Sequence, residues 1–195
     1  MPNKLKMSKN EPNEEKLTEL ILLISELSEG DEYFGSTKLN KLLFFSDFVS
    51  YQRTGQSISG YAYKAQPEGP MLNGFYGVRD RLEELGEIVV REKDFWGYSQ
   101  HRTIALRSAE VSKLTSDELN IVNRVIRQSE DMSAAQISSA SHDFIGWQIV
   151  DIGEEIPYHT ALISARDLTA DEWKYPVTQD LELDKVGVDV ESLVK

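Results

Sequence analysis

The candidate catalytic side chains in this sequence are its three histidines. The chain contains no cysteine, so it has no thiolate nucleophile. His101, His142 and His159 stand far apart, and none lies in a zinc-binding spacing such as HExxH or CxxC. His142 and Asp143 could belong to a catalytic base pair, but Ser141-His142-Asp143 is more typical of a helix start with a capping hydroxyl and an early acid. The sequence therefore predicts no enzyme, no metal site and no cofactor.

Phosphate chemistry is equally unsupported. The glycines follow no GxGxxG or GxxxxGK pattern that would form a phosphate-binding loop. The formal net charge of -12 also repels phosphate backbones. Nucleotide and nucleic-acid binding are therefore disfavoured, and the same charge favours a basic or mixed protein partner.

Length and hydropathy predict one cytoplasmic domain. A chain of 195 residues can bury about 70% of its unfolded surface. It has no apolar run of about 18 residues, and no apolar segment follows the N-terminal lysines Lys4, Lys6 and Lys9. The absence of cysteine suits a reducing compartment. We expect neither secretion nor membrane insertion.

Apolar residues at helical spacing predict the elements that position any site. A first helix carries Leu17 to Leu27 and ends near Gly30, and a second opens at Gly35-Ser36, with Ser36 or Thr37 as its cap, and ends at Gly55. A third helix is predicted from Met71 to Leu85 after a Pro-Glu-Gly-Pro turn. Its inward residues are Leu72, Phe75, Tyr76, Val78, Leu82 and Leu85. Thr115 and Glu118 form a capping box for a fourth.

The remaining segments predict a little β-structure and further short helices. Ser57 to Ala65 is typical of a short edge strand, and Ile88 to Arg91 with Arg102 to Leu106 predicts a hairpin with a long aromatic tip. Ser133 to Ser141, His142 to Val150 and Tyr158 to Ala165 predict short helices. The expected fold is α+β, mainly α: a compact helical domain with a small antiparallel β-hairpin or sheet. We expect a flexible lead-in at 1–13, a globular domain at 14–166 and an acidic, flexible tail at 167–195.

Two groups of side chains are candidates for binding a partner. The tip Phe95-Trp96-Gly97-Tyr98 and the nearby Arg102 are rich in the residue types enriched at interface hot spots, although the rings could instead fold back onto the core. Lys38, Lys41 and Asp47 are polar positions on the apolar second helix. They either reach the surface by snorkelling, pair internally, or contact a ligand or partner.

A resemblance to a known family emerges from the order and spacing of two blocks. The first is the run Thr37–Phe48, TKLNKLLFFSDF, followed by Tyr51, Gly55, Ile58, Gly60, Tyr63 and Gly69-Pro70. The second comprises Ser141-His142, Trp147, Gly153-Glu154 and Ile156-Pro157-Tyr158. Together, from about Leu17 to Ile163, they resemble the Panacea antitoxin domain family, which is SocA-like and has been described as phage-associated.

The resemblance implies an antitoxin that neutralises a protein toxin, usually encoded beside it, by forming a complex, with a place in phage defence. It implies no catalytic residues. The sequence leaves the oligomeric state open, and the alternative function is a DNA-binding regulator of winged-helix type. The candidate partner-binding residues are Lys38, Lys41, Asp47, Tyr63, Glu68, Met71, Phe95, Trp96, Tyr98 and Arg102.

Overall fold

Six α-helices and two small antiparallel sheets make up the part of the chain described by the computed structural model, residues 10–95 and 97–163. The helices are α1 Glu14–Leu27, α2 Ser36–Thr54, α3 Phe75–Glu84, α4 Ser116–Ser129, α5 Ala134–His142 and α6 Ile145–Gln148, with 3₁₀ helices at Val111–Lys113 and Tyr158–Leu162. Strand β1 (Tyr63–Lys64) pairs with β2 (Met71–Leu72), and β3 (Ile88–Phe95) pairs with β4 (Tyr98–Ala105). The predicted α+β, mainly α, fold class is confirmed.

Helix α1 forms because an apolar face follows a capping side chain. Asn13 accepts a hydrogen bond from the backbone N–H of Lys16 at 2.9 Å, and Leu17, Leu20 and Ile24 are fully buried. The helix ends at Leu27 rather than near Gly30. Ser28 closes it by donating its backbone N–H to the carbonyl of Ile24 at 3.0 Å, so the predicted end was wrong.

Helix α2 lies at the centre and packs against α1, α4, α5, β2 and the 3₁₀ helix Tyr158–Leu162. Its end at Gly55, which has φ 79°, confirms the prediction. The predicted cap at its start was wrong, because neither Ser36 nor Thr37 caps the helix and Gly35 is the N-cap residue. Ser36 Oγ instead donates to the carbonyl of His101 at 3.1 Å and ties the helix to β4.

Replacement of Leu42 with alanine tests the burial of α2. Leu42 is 1% exposed, so Leu42→Ala is expected to lower the free energy of unfolding by about 3 kcal/mol through lost burial and the cavity left behind. Urea denaturation measures this change. Leu85→Ala, at a side chain 64% exposed, is the control and should change stability by less than about 0.5 kcal/mol. A Leu42→Ala variant as stable as wild type would contradict the buried placement.

Helix α3 begins at Phe75, four residues later than predicted. Met71 and Leu72 pair with β1 instead, and the N–H of Leu72 is accepted by the Asn40 side chain at 2.9 Å. Tyr76 and Leu85, predicted to face inward, are 55% and 64% exposed. Leu85 lies just beyond the helix, as its C-cap residue. Of the predicted edge strand Ser57 to Ala65, only Tyr63–Lys64 is a strand.

The hairpin β3–β4 is longer, and its tip shorter, than predicted. Eight residues of each strand pair in register from Ile88↔Ala105 to Phe95↔Tyr98. Only positions 96 and 97 connect the strands, and Gly97 takes φ 81°, which glycine adopts without strain. The predicted long aromatic loop is therefore mostly strand. Trp96 itself lies outside the described residues.

The distal helices confirm one capping prediction and correct another. Thr115 and Glu118 form the predicted capping box of α4. Ser141-His142-Asp143 is a helix end rather than a start, because α5 begins with a capping box at Ser133 and reaches His142. Helix α6 is shorter than the predicted helix from His142 to Val150. The predicted tail at 167–195 and most of the lead-in lie outside the described residues.

Candidate partner-binding surface

The three polar residues singled out on α2 are buried. Lys38 is 1% exposed, Lys41 is 3% exposed and Asp47 is 0% exposed, so they do not snorkel to the surface. All three pair internally instead. A partner that binds this conformation therefore contacts other residues first.

Lys38 joins three parts of the chain. Its Nζ lies 2.6 Å from Asp31 Oδ2, in the connection between α1 and α2. It also donates to the backbone carbonyls of Glu130 and Met132, at 3.1 and 2.7 Å, beyond the end of α4. A buried ammonium with three acceptors is fully satisfied. The role of Lys38 in this conformation is to hold α2 against both neighbours.

Lys41 holds the turn before β2. Its Nζ donates to the carbonyl of Pro70 at 2.8 Å. Gly69, at φ 95°, packs so closely that an added Cβ would lie 2.9 Å from the same nitrogen. Burial lowers the pKa of Lys41 to about 8, against the opposing attraction of Glu68. The contact between Lys41 and the Gly69-Pro70 turn therefore has a structural role. Glu68 is exposed beside this turn.

The lowered pKa of Lys41 predicts a rise in stability with pH. The folded chain binds fewer protons than the unfolded chain between pH 8 and the ordinary lysine pKa of 10.5. The free energy of unfolding should therefore rise there by about 1 kcal/mol per pH unit. Urea denaturation between about pH 7.5 and 9.5, below the ordinary range of tyrosine, measures it. The control Lys41→Met should lack this rise, and an equal rise in both proteins would contradict the assignment.

Asp47 anchors the segment that carries Tyr63. Its Oδ1 accepts the backbone N–H of Ser59 at 2.7 Å, and its Oδ2 accepts the hydroxyls of Ser59 and Tyr63 at 2.5 and 2.8 Å. Burial raises the pKa of Asp47, while the bonds from Ser59 and Tyr63 oppose that rise. Phe44 and Phe48 pack their rings around Tyr63. Tyr63 is itself 0% exposed, so it too is covered in this conformation.

The turn before α3 places its remaining candidates at the surface. Glu68 is exposed and Met71 is half-buried. Beside them lies a pocket of about 210 Å³ whose lining includes Met71, Asn73 and Tyr76. This turn is one surface that a partner could contact.

Of the candidate partner-binding residues near the end of the hairpin, two fold back onto the domain and one stays exposed. Phe95 folds back, since its ring packs edge-on against Tyr33 at 5.7 Å. Arg102 also folds back and donates to the carbonyls of Asp31 and Glu29, both at 2.7 Å. Tyr98 remains 78% exposed. Tyr98 is therefore the aromatic side chain in the described part of this tip that stays open to a partner.

A groove between the second half of α1 and strand β4 was not predicted. It has a volume of about 610 Å³, and its lining includes Ser25 and Glu29 on one side and Thr103 and Ile104 on the other. The sequence carries a weak signal for it: the serine on the apolar face of α1 and the threonine within a predicted strand. Both hydroxyls are buried without a hydrogen-bond partner in the described structure.

The histidines do not converge on a catalytic arrangement. His101 and His159 are exposed on β4 and on the last 3₁₀ helix. His142 stacks on Trp147 at 4.1 Å between ring centroids, and Trp147 Nε1 donates to the carbonyl of Gln66 at 3.0 Å. Within residues 10–95 and 97–163, no three His, Asp or Glu side chains meet in a group that could hold a metal ion.

The charges of α3 bear on the DNA-binding alternative. Arg79 lies 3.3 Å from Asp80, and Arg81 lies 2.7 Å from Glu14. Both arginines that a recognition helix would offer to phosphates are therefore next to carboxylates.

Every helix in the described part of the chain is too short or too polar to cross a membrane.

Comparison with known proteins identifies a family for this chain. A family model described as "Antitoxin SocA-like, Panacea domain" matches residues 39–148, more than half of the 195-residue chain. The matched segment runs from α2 to α6 and contains Lys41, Asp47, Gly69-Pro70 and Trp147. It is narrower than the resemblance inferred from Leu17 to Ile163. No curated protein and no solved structure matches the chain.

Proposed function

The chain belongs to the family of SocA-like antitoxins with a Panacea domain, and from this premise we propose that it neutralises a cognate protein toxin by binding it directly. The match over residues 39–148 carries the proposal. The toxin is encoded by an adjacent reading frame, and the two proteins meet in the cytoplasm. The antitoxin acts by occupying a surface of the toxin, without catalysis and without a cofactor.

Charge and shape support direct binding. The net charge of -12 attracts a basic protein and raises its rate of association. The hairpin β3–β4 presents Tyr98 on two paired strands, so little conformational entropy is lost when the ring is covered. An exposed tyrosine is a typical hot-spot side chain.

Co-expression tests the proposal. The adjacent reading frame is placed under an inducible promoter, alone and together with this chain. Growth should stop with the first and recover with the second, and the two proteins should co-purify. A product that is harmless alone, or that stays toxic beside this chain, would refute the antitoxin role. Recovery without a complex would refute direct binding.

Tyr98→Ala is expected to weaken toxin binding by about 2 kcal/mol, which is about thirtyfold in Kd. The melting temperature should not change, because the side chain is 78% exposed. Isothermal titration with purified toxin measures Kd, and Leu85→Ala is the matched control at an exposed apolar side chain. Tyr76→Ala, beside the turn pocket, distinguishes the two surfaces. Loss of affinity in Tyr76→Ala alone would place the contact at the turn.

A further inference from the structure

Strand β3 has an outer edge whose phase the hydrogen bonds define. Just beyond the paired strands, the N–H of Leu106 donates to the carbonyl of Glu87 at 2.9 Å. Antiparallel partners alternate between hydrogen-bonded and non-hydrogen-bonded pairs. Because of this alternation, the N–H and C=O groups of Glu92 and Asp94 point away from β4. The second half of β3 therefore presents backbone donors and acceptors on the side that β4 does not occupy.

This outer edge is partnered near α3 and open towards the tip of the hairpin. The N–H of Val90 has the same outward phase and donates to the Glu83 side chain at 2.8 Å. At Glu92 and Asp94, no group among residues 10–95 and 97–163 bonds the backbone N–H or C=O. Every residue at 91–94 is exposed, and we call this segment the open edge. A strand edge with free N–H and C=O groups is a template for an added strand.

The outer edge of β4 is covered by comparison. The carbonyl of His101 accepts the hydroxyl of Ser36 at 3.1 Å. The side chain of Gln100 donates to the carbonyl of Glu32 at 3.0 Å, and Thr103 is 2% exposed where α1 packs against β4. The hairpin thus rests on the domain along β4, and its accessible edge is on β3.

The side chains along the open edge alternate in charge with the pleat of the strand. Arg91 and Lys93 lie on one face of the hairpin, and Glu92 and Asp94 lie on the other. No ion pair engages any of these four side chains within the described ranges. Each face of the open edge therefore offers two charges of one sign to a partner.

This alternation disfavours a second copy of the chain as the partner. Residues directly opposite each other in an antiparallel ladder have the same phase. Two open edges would therefore place Glu92 or Asp94 opposite a carboxylate, and Arg91 or Lys93 opposite a cation. Like charges directly opposite each other are destabilising. Charged residues on an edge prevent pairing between copies in this way, but a strand with the opposite alternation is attracted.

We propose that the open edge of β3 pairs with an extended segment of the toxin, which adds as an antiparallel strand and bonds the backbone of Glu92 and Asp94. The segment alternates in charge, with Lys or Arg opposite these two acids and Asp or Glu opposite Arg91 and Lys93. The proposal rests on the proposed function, because it names the part of the toxin that this chain binds. The edge ends at the same tip as Tyr98, so one toxin can contact both.

Amide hydrogen exchange of the ¹⁵N-labelled chain, with and without the purified product of the adjacent reading frame, tests strand addition. In the free chain the amides of Glu92 and Asp94 should exchange fast, since they have no acceptor. In the saturated complex both should slow by at least about tenfold. The amide of Ser99, which has the same phase on the opposite edge, should stay fast. Protection at Ser99 alone, or no added protection at Glu92 and Asp94, would overturn the proposal.

A proline on the open edge blocks it. Glu92→Pro removes an N–H that takes no part in the β3–β4 ladder, so the hairpin should keep its pairing. Affinity for the toxin should fall at least about tenfold by titration calorimetry. Ser99→Pro is the matched control on the opposite edge, and it should bind as wild type does. Both variants lose the 2.5 Å hydrogen bond between Ser99 Oγ and Glu92 Oε1, so that loss is common to both.

Charge reversal provides variants that do not depend on tolerance of proline. Glu92→Lys should weaken binding several-fold at low salt and less at high salt, whereas Glu84→Lys, at an exposed acid on α3, should have little effect. Lys93→Glu should also weaken binding, although it makes the chain more acidic. Attraction of a basic toxin by net charge alone would instead tighten binding in Lys93→Glu, and that result would overturn the alternating segment.

The remaining outcomes are distinct. Wild-type affinity in Glu92→Pro, Glu92→Lys and Lys93→Glu overturns the edge proposal and leaves the proposed function standing, whereas a wild-type chain that fails to bind the toxin overturns both. A wild-type dimer that Glu92→Pro converts to a monomer assigns the edge to a second copy of this chain and also overturns the proposal.

Discussion

Lys38→Met is expected to lower the free energy of unfolding by about 3–5 kcal/mol. Methionine nearly preserves the length of the side chain, but it removes the ammonium that lies 2.6 Å from Asp31 Oδ2 and bonds the carbonyls of Glu130 and Met132. The Asp31 carboxylate is only 8% exposed and would be left without its cation. Urea denaturation followed by circular dichroism measures the loss.

A double-mutant cycle separates the pair from the packing of the side chain. If the unpaired carboxylate causes most of the loss, Asp31→Asn combined with Lys38→Met should be less destabilised than Lys38→Met alone. Arg81→Met is the control, because its pairing with Glu14 is solvent-exposed and should contribute less than about 1 kcal/mol. A Lys38→Met variant within about 1 kcal/mol of wild type would show that the buried pair contributes little.

Local signals explain the elements that were predicted correctly. The capping box of α4 joins residues three apart, Thr115 and Glu118, so its geometry is contained in the sequence. The same holds for Gly55, whose left-handed φ ends α2. Apolar spacing likewise predicted the buried face of α1. In the two caps the interaction lies within about one turn of the chain, and in α1 the apolar spacing itself is local, although the contacts that bury the face are not.

Long-range contacts explain the predictions that failed. Met71 and Leu72 continue an apolar pattern that fits a helix, but the side chain of Asn40, far away in the sequence, bonds the N–H of Leu72 and holds it as a strand. Lys38 similarly finds two of its three acceptors more than ninety residues away. Periodicity reports which face is apolar, whereas these partners depend on the tertiary fold.

The candidate surface was predicted only in part for the same reason. The sequence indicated an aromatic tip, but it could not show that Phe95 packs on Tyr33 while Tyr98 stays exposed. The groove is harder still to foresee. It depends on α1 lying across from β4, and Ser25 and Thr103 become informative only when both line the same groove. A single serine or threonine has no distinctive spacing.

Asp47→Ala is the second substitution with a large expected effect, a loss of about 4 kcal/mol in the free energy of unfolding. Three buried donors, the N–H and O–H of Ser59 and the O–H of Tyr63, would lose their acceptor. Each unsatisfied buried group costs about 1–3 kcal/mol. Urea denaturation measures the loss, and Tyr63→Phe, which removes only one donor, should cost less.

Asp47→Asn separates the lost acceptor from the buried charge. The amide oxygen can still accept the N–H of Ser59, so this variant should be more stable than Asp47→Ala. Because burial raises the pKa of Asp47, the folded chain binds this proton more tightly than the unfolded chain. The stability contributed by the protonated carboxyl is therefore complete below the unfolded pKa and is lost as the pH rises through the folded pKa. Relative to wild type, the asparagine variant should gain stability over that interval, and a difference independent of pH would mean that burial does not perturb the carboxyl.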